Sequence, residues 1–450
     1  MPILVTKNSP ICIRPSSSPE LEPPPTTNNA AAVVALSSFD KCMPPVPITM
    51  LLVFDHPIDN PTHTIKTSLS RALAHYRPIA GRLIGDTIAC TDDGVTFVAA
   101  SANNSTLDEA MAVLPQMPTD LAIGYPNPRC HGGADEPLLL MQVTEFACGW
   151  FVVAVTWNHL LADASGMAQF VLAVGELARG GGVSVSPVVR LWDDVSLPGV
   201  PSSAIAAQKA TLDFDPLPLA RLDVAVPSSL ISRVKAAAGE FAAGEPPCTV
   251  FEAVAAVLWR CRVRAVMSSS AGDESPAPLT IPCNVRKLAG APVGYYGNCV
   301  VMLVVPATAG DVANSDVGDL VRMIRSAKAK VPGMLSSSSI NGDSGGGGDD
   351  DGEVVQGKEA SAPAVWYQAL AVSSWRNMGM EGTDMGGGAP VRVTWQPERT
   401  MVPACVVCPP RRDGREDGSV DVSSMFVRDE HVDAFKDELA RLIADDGSEE

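Results

Sequence analysis

The chain has 450 residues and a net charge of −18, from 33 lysines and arginines against 51 aspartates and glutamates. That balance offers no basic footprint for nucleic acid, and 46% hydrophobic residues is too apolar for general disorder. The length exceeds one ordinary core, so two domains are expected. Eleven cysteines are scattered without a framework spacing. The start, "MPILVTKNSP", lacks the basic region and long apolar run of a secretory signal. No stretch approaches the roughly 18 uninterrupted apolar residues of a membrane span. These features predict a cytoplasmic protein with free thiols and no membrane partner.

The first thirty residues are rich in Pro, Ser and Thr and read as a wandering surface segment. Ordered pattern begins near "VVALSSFD", and "ITMLLVFD" is strand-like. In "PTHTIKTSLSRALAHYRPIAGRL", Ile65, Leu69, Ala72, Leu73 and Tyr76 share one helical face, closed by Pro78 and Gly81. "IACTDDGVTFVAAS" reads as a hairpin turning at Asp93-Gly94. "LLLMQVTEF" and "GWFVVAVTW" are two further strands. Met167, Phe170, Val171, Val174 and Leu177 then recur at helical spacing until Gly180 to Gly182.

The proline-bearing stretch "VSVSPVVRLWDDVSLPGVPSS" has little periodicity and marks a boundary. A first domain over 1–190, a linker over 191–215 and a second domain over 216–450 are expected. The second half alternates again. Helices are predicted in "SSLISRVKAAAGEFA", "TVFEAVAAVLWRCRVRAV" and "DVGDLVRMIRSAKAKV", and strands in "PLTIPCNVR" and "GNCVVMLVVPA". Residues 336–362 are almost free of apolar side chains and read as a disordered loop. Strands in "AVWYQALAVSSW", "VRVTWQP" and "PACVVCPP" and a last helix, "DEHVDAFKDELARLI", complete the chain. Mixed elements in both halves predict an α/β architecture.

Three motifs are decoys. "GDSGG" at Gly342 to Gly346 matches a nucleophile elbow, but Ser344 lacks the strand and helix that would hold the strained turn. "HGG" at His131 to Gly133 is similar to an esterase oxyanion loop without its nucleophile. Cys405 and Cys408 form one C-x-x-C with no second pair and no neighbouring histidine, so two buried strand cysteines are expected and no metal.

His159 stands apart from the other five histidines, because it follows the strand "FVVAVTW" directly and precedes a helix. A side chain there reaches a cleft from rigid support. Two readings stand on the residues alone: a satisfied structural histidine, or a neutral imidazole that takes a proton from an alcohol or amine. Asp163 sits where the helix begins, which suits an N-cap as well as chemistry.

At "HLLAD" the sequence resembles the plant BAHD family of acyl-CoA-dependent acyltransferases, whose first motif is H-x-x-x-D. Further blocks are similar in order and spacing: "SLSRALAHYRPIAGRL", "CTDDGVTFVAA", "QVTEFACGW" and "CNVRKLAGAPVGYYGN". "SSWRNMGMEGTDMGGGAP" occupies the place of the second signature, D-F-G-W-G. The resemblance implies two similar α/β domains like chloramphenicol acetyltransferase, with the active site in a channel between them. It implies acyl-CoA as co-substrate, a small-molecule alcohol or amine as acceptor, and a monomer. His159 would be the general base, and Asp163 would pair with Arg286. Trp375 would donate to the developing oxyanion, and Ser373 would touch the pantetheine arm. Asp384, the aspartate of the second signature, is counted with the catalytic residues on the same ground.

The second signature departs from the pattern. It reads Asp384-Met385-Gly386-Gly387-Gly388, without its phenylalanine and tryptophan. If both aromatics were buried and nothing compensated, their loss would cost about 3–5 kcal/mol, and three glycines would loosen the turn. Two functions follow: transfer of an aromatic acyl group, benzoyl or hydroxycinnamoyl, or a catalytically weak paralogue that binds without turning over.

Overall fold

The computed structural model describes residues 4–17, 33–102, 119–125, 135–188, 200, 217–239, 246–266, 274–335, 367–397, 400, 402–412 and 418–445. "GDSGG", "HGG" and the loop expected over 336–362 lie outside them.

The first sheet is built on apolar runs that alternate faces. It contains β1 (Thr6–Lys7), β2 (Ile11–Ile13), β4 (Pro47–Phe54), β7 (Val95–Ala102), β8 (Leu139–Phe146) and β9 (Phe151–Asn158). A small second sheet holds β3 (Val33–Ala35), β5 (Arg82–Ile84) and β6 (Thr87–Ala89). The central strand β9 is buried along its whole length. Its odd-numbered residues Val153, Val155 and Trp157 face one core, and Val152 and Ala154 face another, as the period of two requires. After the four-residue helix α1 (Ser38–Lys41), helices α2 (Pro61–His75) and α3 (Ala164–Ala178) cover the first of these faces. The predicted stripes are the ones buried: Ile65, Leu69 and Leu73 on α2, and Met167, Phe170, Val171 and Val174 on α3.

The hairpin expected over Ile88–Ser101 does not form. Strand β6 pairs with β3 and β5, whereas β7 pairs with β1, β2 and β8. Asp92 (φ 56°) and Gly94 (φ 89°) are left-handed, but no Asp93-Gly94 hairpin turn forms there. A Cβ at Gly94 would lie 2.4 Å from the Ile13 carbonyl oxygen. The segment redirects the chain from one sheet to another instead of folding it back on itself.

The second half forms a six-stranded sheet in the order β10-β16-β15-β13-β11-β12. Its strands are β10 (Ala220–Val226), β11 (Leu279–Asn284), β12 (Val300–Val305), β13 (Leu370–Ser374), β15 (Ala404–Val407) and β16 (Val420–Val427). Helices α4 (Ser228–Ala238), α5 (Val250–Val266), α6 (Arg286–Ala289), α7 (Ala309–Asn314), α8 (Val317–Lys328) and α9 (Val432–Ala444) belong to this half. Its core packs Leu279, Val372, Val407 and Phe426 of the sheet against Val254, Leu258, Ile324 and Phe435 of the helices. Cys405 and Cys408 are buried on or beside β15.

One strand breaks the division between halves. β14 (Arg392–Trp395) comes from the second half but pairs antiparallel with β4, joining the first sheet. That excursion brings the segment just before it, Asp384 to Gly388, against the first half. No helix among the described residues is long and apolar enough to cross a membrane.

Candidate active site

A cavity of about 360 Å³ opens where β9 ends, and both halves line it. Its first wall comes from Met43, Val46, Ile48, Thr49, Thr156, Trp157 and His159. The facing wall carries Pro282, Met302, Ser373, Trp375 and Val406. The lining is mostly apolar, with polar groups at a few points, the usual make-up of a small-molecule site.

His159 is the first residue after β9, partly exposed to this cavity. The turn that carries it is tied at every residue. His159 N–H donates to the Val46 carbonyl (3.0 Å), and Leu161 N–H to the Asn158 carbonyl (2.9 Å). The Asn158 side chain accepts from Leu160 N–H (3.0 Å), and Trp157 Nε1–H donates to the Ala162 carbonyl (2.9 Å). Burial lowers the His159 pKa from its ordinary value, against the opposing pull of its own carbonyl, Asp163 and Asn298. The ring is therefore neutral near pH 7, the state that accepts a proton. Nδ1 is buried without a hydrogen bond, which leaves Nε2 as the nitrogen open to a bound molecule.

Asp163 also borders the cavity, but its carboxylate is taken up by protein donors. It is the N-cap of α3 and accepts from Gly166 N–H at 2.9 Å. Arg286 grips the same carboxylate with two bonds, 2.8 and 2.9 Å, and Cys299 N–H donates at 2.9 Å. Four donors fill the acceptor sites of an aspartate that is 4% exposed. The guanidinium also donates to the Gly297 carbonyl at 2.7 Å. The pair thus joins the start of α3 to the second half. Gly166 makes the same junction close: a Cβ there would fall 1.7 Å from the Tyr296 carbonyl oxygen.

Two residues that the sequence reading passed over complete the support. Asn298, fully buried, donates from its amide to the His159 carbonyl (2.9 Å) and to Asp40 Oδ1 (2.9 Å). Asp40 Oδ1 also accepts from Asn298 N–H (3.0 Å), and Oδ2 accepts from Ser37 N–H (2.8 Å) and Ser37 Oγ (2.7 Å). Asp40 and Ser37 close the capping box of α1. The spelling "SSFD" carries that box; its link to His159 runs through tertiary contact alone.

Trp375 follows β13, is 3% exposed and lines the cavity beside Trp157, with ring centroids 6.5 Å apart. Ser373, two residues earlier on the same strand, also lines it.

Asp384, expected among the catalytic residues, is not in the cavity wall. Its Oδ1 accepts from Gly386 N–H (2.8 Å) and Gly388 N–H (2.9 Å), and Arg179 lies 3.8 Å from Oδ2 while donating to the Asp384 carbonyl at 2.6 Å. Burial raises its pKa, but those two backbone donors and Arg179 outweigh it and hold the value below the ordinary one. The carboxylate closes its own loop and fastens it to the end of α3.

The glycines of that loop are not slack. Gly386 (φ 117°) and Gly388 (φ 126°) occupy backbone conformations that other residues rarely adopt. A Cβ at Gly387 would meet Ile58 Cγ2 at 2.8 Å and the carbonyls of Pro57 and His56 at 3.2 and 3.3 Å. Met385 is 1% exposed and packs into the first-half core with Met380, Trp375 and Trp395. Met385 is thus a packed core residue, and the chain at Gly387 lies too close to Ile58 and the 56–57 carbonyls to carry a side chain.

The profile of the family described as "Transferase family" matches residues 22–442. "Acyl transferase 15" of Oryza sativa subsp. japonica is 40% identical over 99% of this chain and 100% of its own. A myricetin 3-O-glucosyl 1,2-rhamnoside 6'-O-caffeoyltransferase of Crocosmia x crocosmiiflora is 30% identical over 98% of this chain and 99% of its own. In fold, the chain is similar to the crystal structure of vinorine synthase, with a TM-score of 0.68 at 18% identity and 98% of each chain covered. The chain therefore belongs to the Transferase family, the BAHD acyltransferases, and is an acyl-CoA-dependent acyltransferase with that two-domain fold.

Proposed function

We propose that the protein transfers an aromatic acyl group, benzoyl or hydroxycinnamoyl, from its CoA thioester to the hydroxyl of a small molecule, with His159 as general base. The observation that carries this reading is the isolation of His159. Among the described residues it alone joins a neutral, proton-accepting nitrogen to the cavity, while Asp163 is held by four donors. The rings of Trp157 and Trp375 favour a planar acyl group, and the caffeoyltransferase named above favours a hydroxyl acceptor over an amine.

In this mechanism His159 Nε2 takes the hydroxyl proton as the oxygen attacks the thioester carbon. The carbonyl oxygen becomes an oxyanion, and a donor from Trp375 at that point is worth about 3 kcal/mol of barrier. When the C–S bond breaks, the imidazolium returns its proton to the departing thiolate, so the products are the ester and free CoA. Ser373 is assigned to the pantetheine arm, on the wall that also carries Trp375. Both walls come from one chain, which favours a monomer. A two-domain division near residues 191–215 and a cytoplasmic setting belong to the same reading.

The test supplies benzoyl-CoA with benzyl alcohol and follows thiol release and ester mass. Turnover is expected. The acid limb of kcat/KM should fall as pH drops through the His159 pKa, with its midpoint below about 6.5 because burial depresses that pKa. No thiol release from benzoyl-CoA or a hydroxycinnamoyl-CoA with any alcohol would overturn the reading and leave a binding protein.

A further inference from the structure

Thr49 and Thr156 are cross-strand partners on β4 and β9, and their hydroxyls lie 2.9 Å apart. Both residues line the cavity, although they are only 5% and 1% exposed. On the same face of the two strands the next residues are apolar: Leu51 and Val53 beside Thr49, and Ala154 and Val152 beside Thr156. Two hydroxyls carry two hydrogens, and a bond between them uses one. No group among the described residues accepts the other from either side chain. A buried donor left over in an apolar wall is unfavourable unless a bound molecule accepts it.

We propose that this pair is a specificity-determining site. It donates its free hydrogen to an oxygen of the acceptor alcohol other than the reacting hydroxyl. The assignment to the acceptor rests on the proposed function, which gives Ser373 to the pantetheine arm and the rings of Trp157 and Trp375 to the acyl group, leaving the threonine hydroxyls to the acceptor. The threonines stand on the wall opposite Ser373, on the strand that ends in His159 and on its neighbour. An acceptor bound there presents its hydroxyl to His159 and a second oxygen to the pair. The preferred acceptors are therefore oxygenated beyond the hydroxyl that is acylated.

The experiment measures kcat/KM with benzoyl-CoA for benzyl alcohol and for ortho-, meta- and para-methoxybenzyl alcohol. The methoxy oxygen can only accept a hydrogen bond. The wild type should favour at least one methoxy isomer over benzyl alcohol. In Thr49→Val/Thr156→Val that ratio should drop about tenfold, while Thr49→Ser/Thr156→Ser should keep it. An unchanged ratio in the valine variant, or no preference in the wild type, overturns the proposal. If the double valine variant does not fold, Thr49→Ala/Thr156→Ala, which also removes both hydroxyls, is read in the same way. Failure of the wild type to acylate any of these alcohols would overturn the acyl-transfer reading instead, and this assignment with it.

Discussion

Two aspartate-bearing turns, His159–Asp163 and Asp384–Gly388, look alike in sequence and are built for different tasks. In the first, the aspartate is buried and bonded to the opposite half of the molecule through Arg286 and Cys299. In the second, the aspartate is partly exposed and bonded mainly to its own loop. Both carboxylates are consumed by backbone N–H groups and an arginine. Only the first turn also presents a free titratable side chain to the cavity. A carboxylate in a short motif can thus serve to fix backbone, and its partners, not its spacing, decide which role it has.

This contrast can be broken by substitution. Asp163→Ala leaves the half-buried Arg286 without its anion and should cost about 3 kcal/mol of stability, read as a fall in the denaturation midpoint. A loss below about 1 kcal/mol would mean that the strut is dispensable. Asn298→Ala removes donors from the His159 carbonyl and from Asp40. It should cost about 1–3 kcal/mol of stability and lower kcat about tenfold or more through a misplaced base, with KM little changed. Steady-state kinetics at matched folded fraction would separate these two effects. The smallest change is Tyr296→Phe. The Tyr296 hydroxyl is buried without a partner, so its removal should leave stability equal or raise it by about 1 kcal/mol; a clear loss in thermal unfolding would mean that the hydroxyl is satisfied.

Much of this was legible in the chain itself. The helical stripes of α2 and α3 are the buried ones, because a 3.6-residue period has one physical outcome on a sheet. His159 was identifiable by its place between a strand and a helix. Other parts were hidden for physical reasons. Strands β10 and β16 carry Asp223, Asp421, Ser423 and Ser424 among their apolar residues, which blurs the alternation. In the folded chain those groups find tertiary partners, as Asp223 does with Arg392 and Ser424 with the Leu222 carbonyl. The Asp93-Gly94 pair has hairpin chemistry, but which sheet each flank joins is a long-range choice. Met385 and Gly387 read as damage to a signature, and only the folded positions of Ile58 and Trp395 show that both are closely packed. Asp40 and Asn298, 258 positions apart, meet nowhere in the sequence.

The direct test measures kcat for His159→Ala and Asp384→Ala side by side, each corrected for its folded fraction. His159→Ala should lose at least about a hundredfold, the lower end of what a general base contributes. Asp384→Ala should stay within about tenfold of the wild type, since it gives up loop bonds worth about 1–2 kcal/mol. Near-normal turnover in His159→Ala, or an equal collapse in both variants, would contradict the division of labour between the two turns.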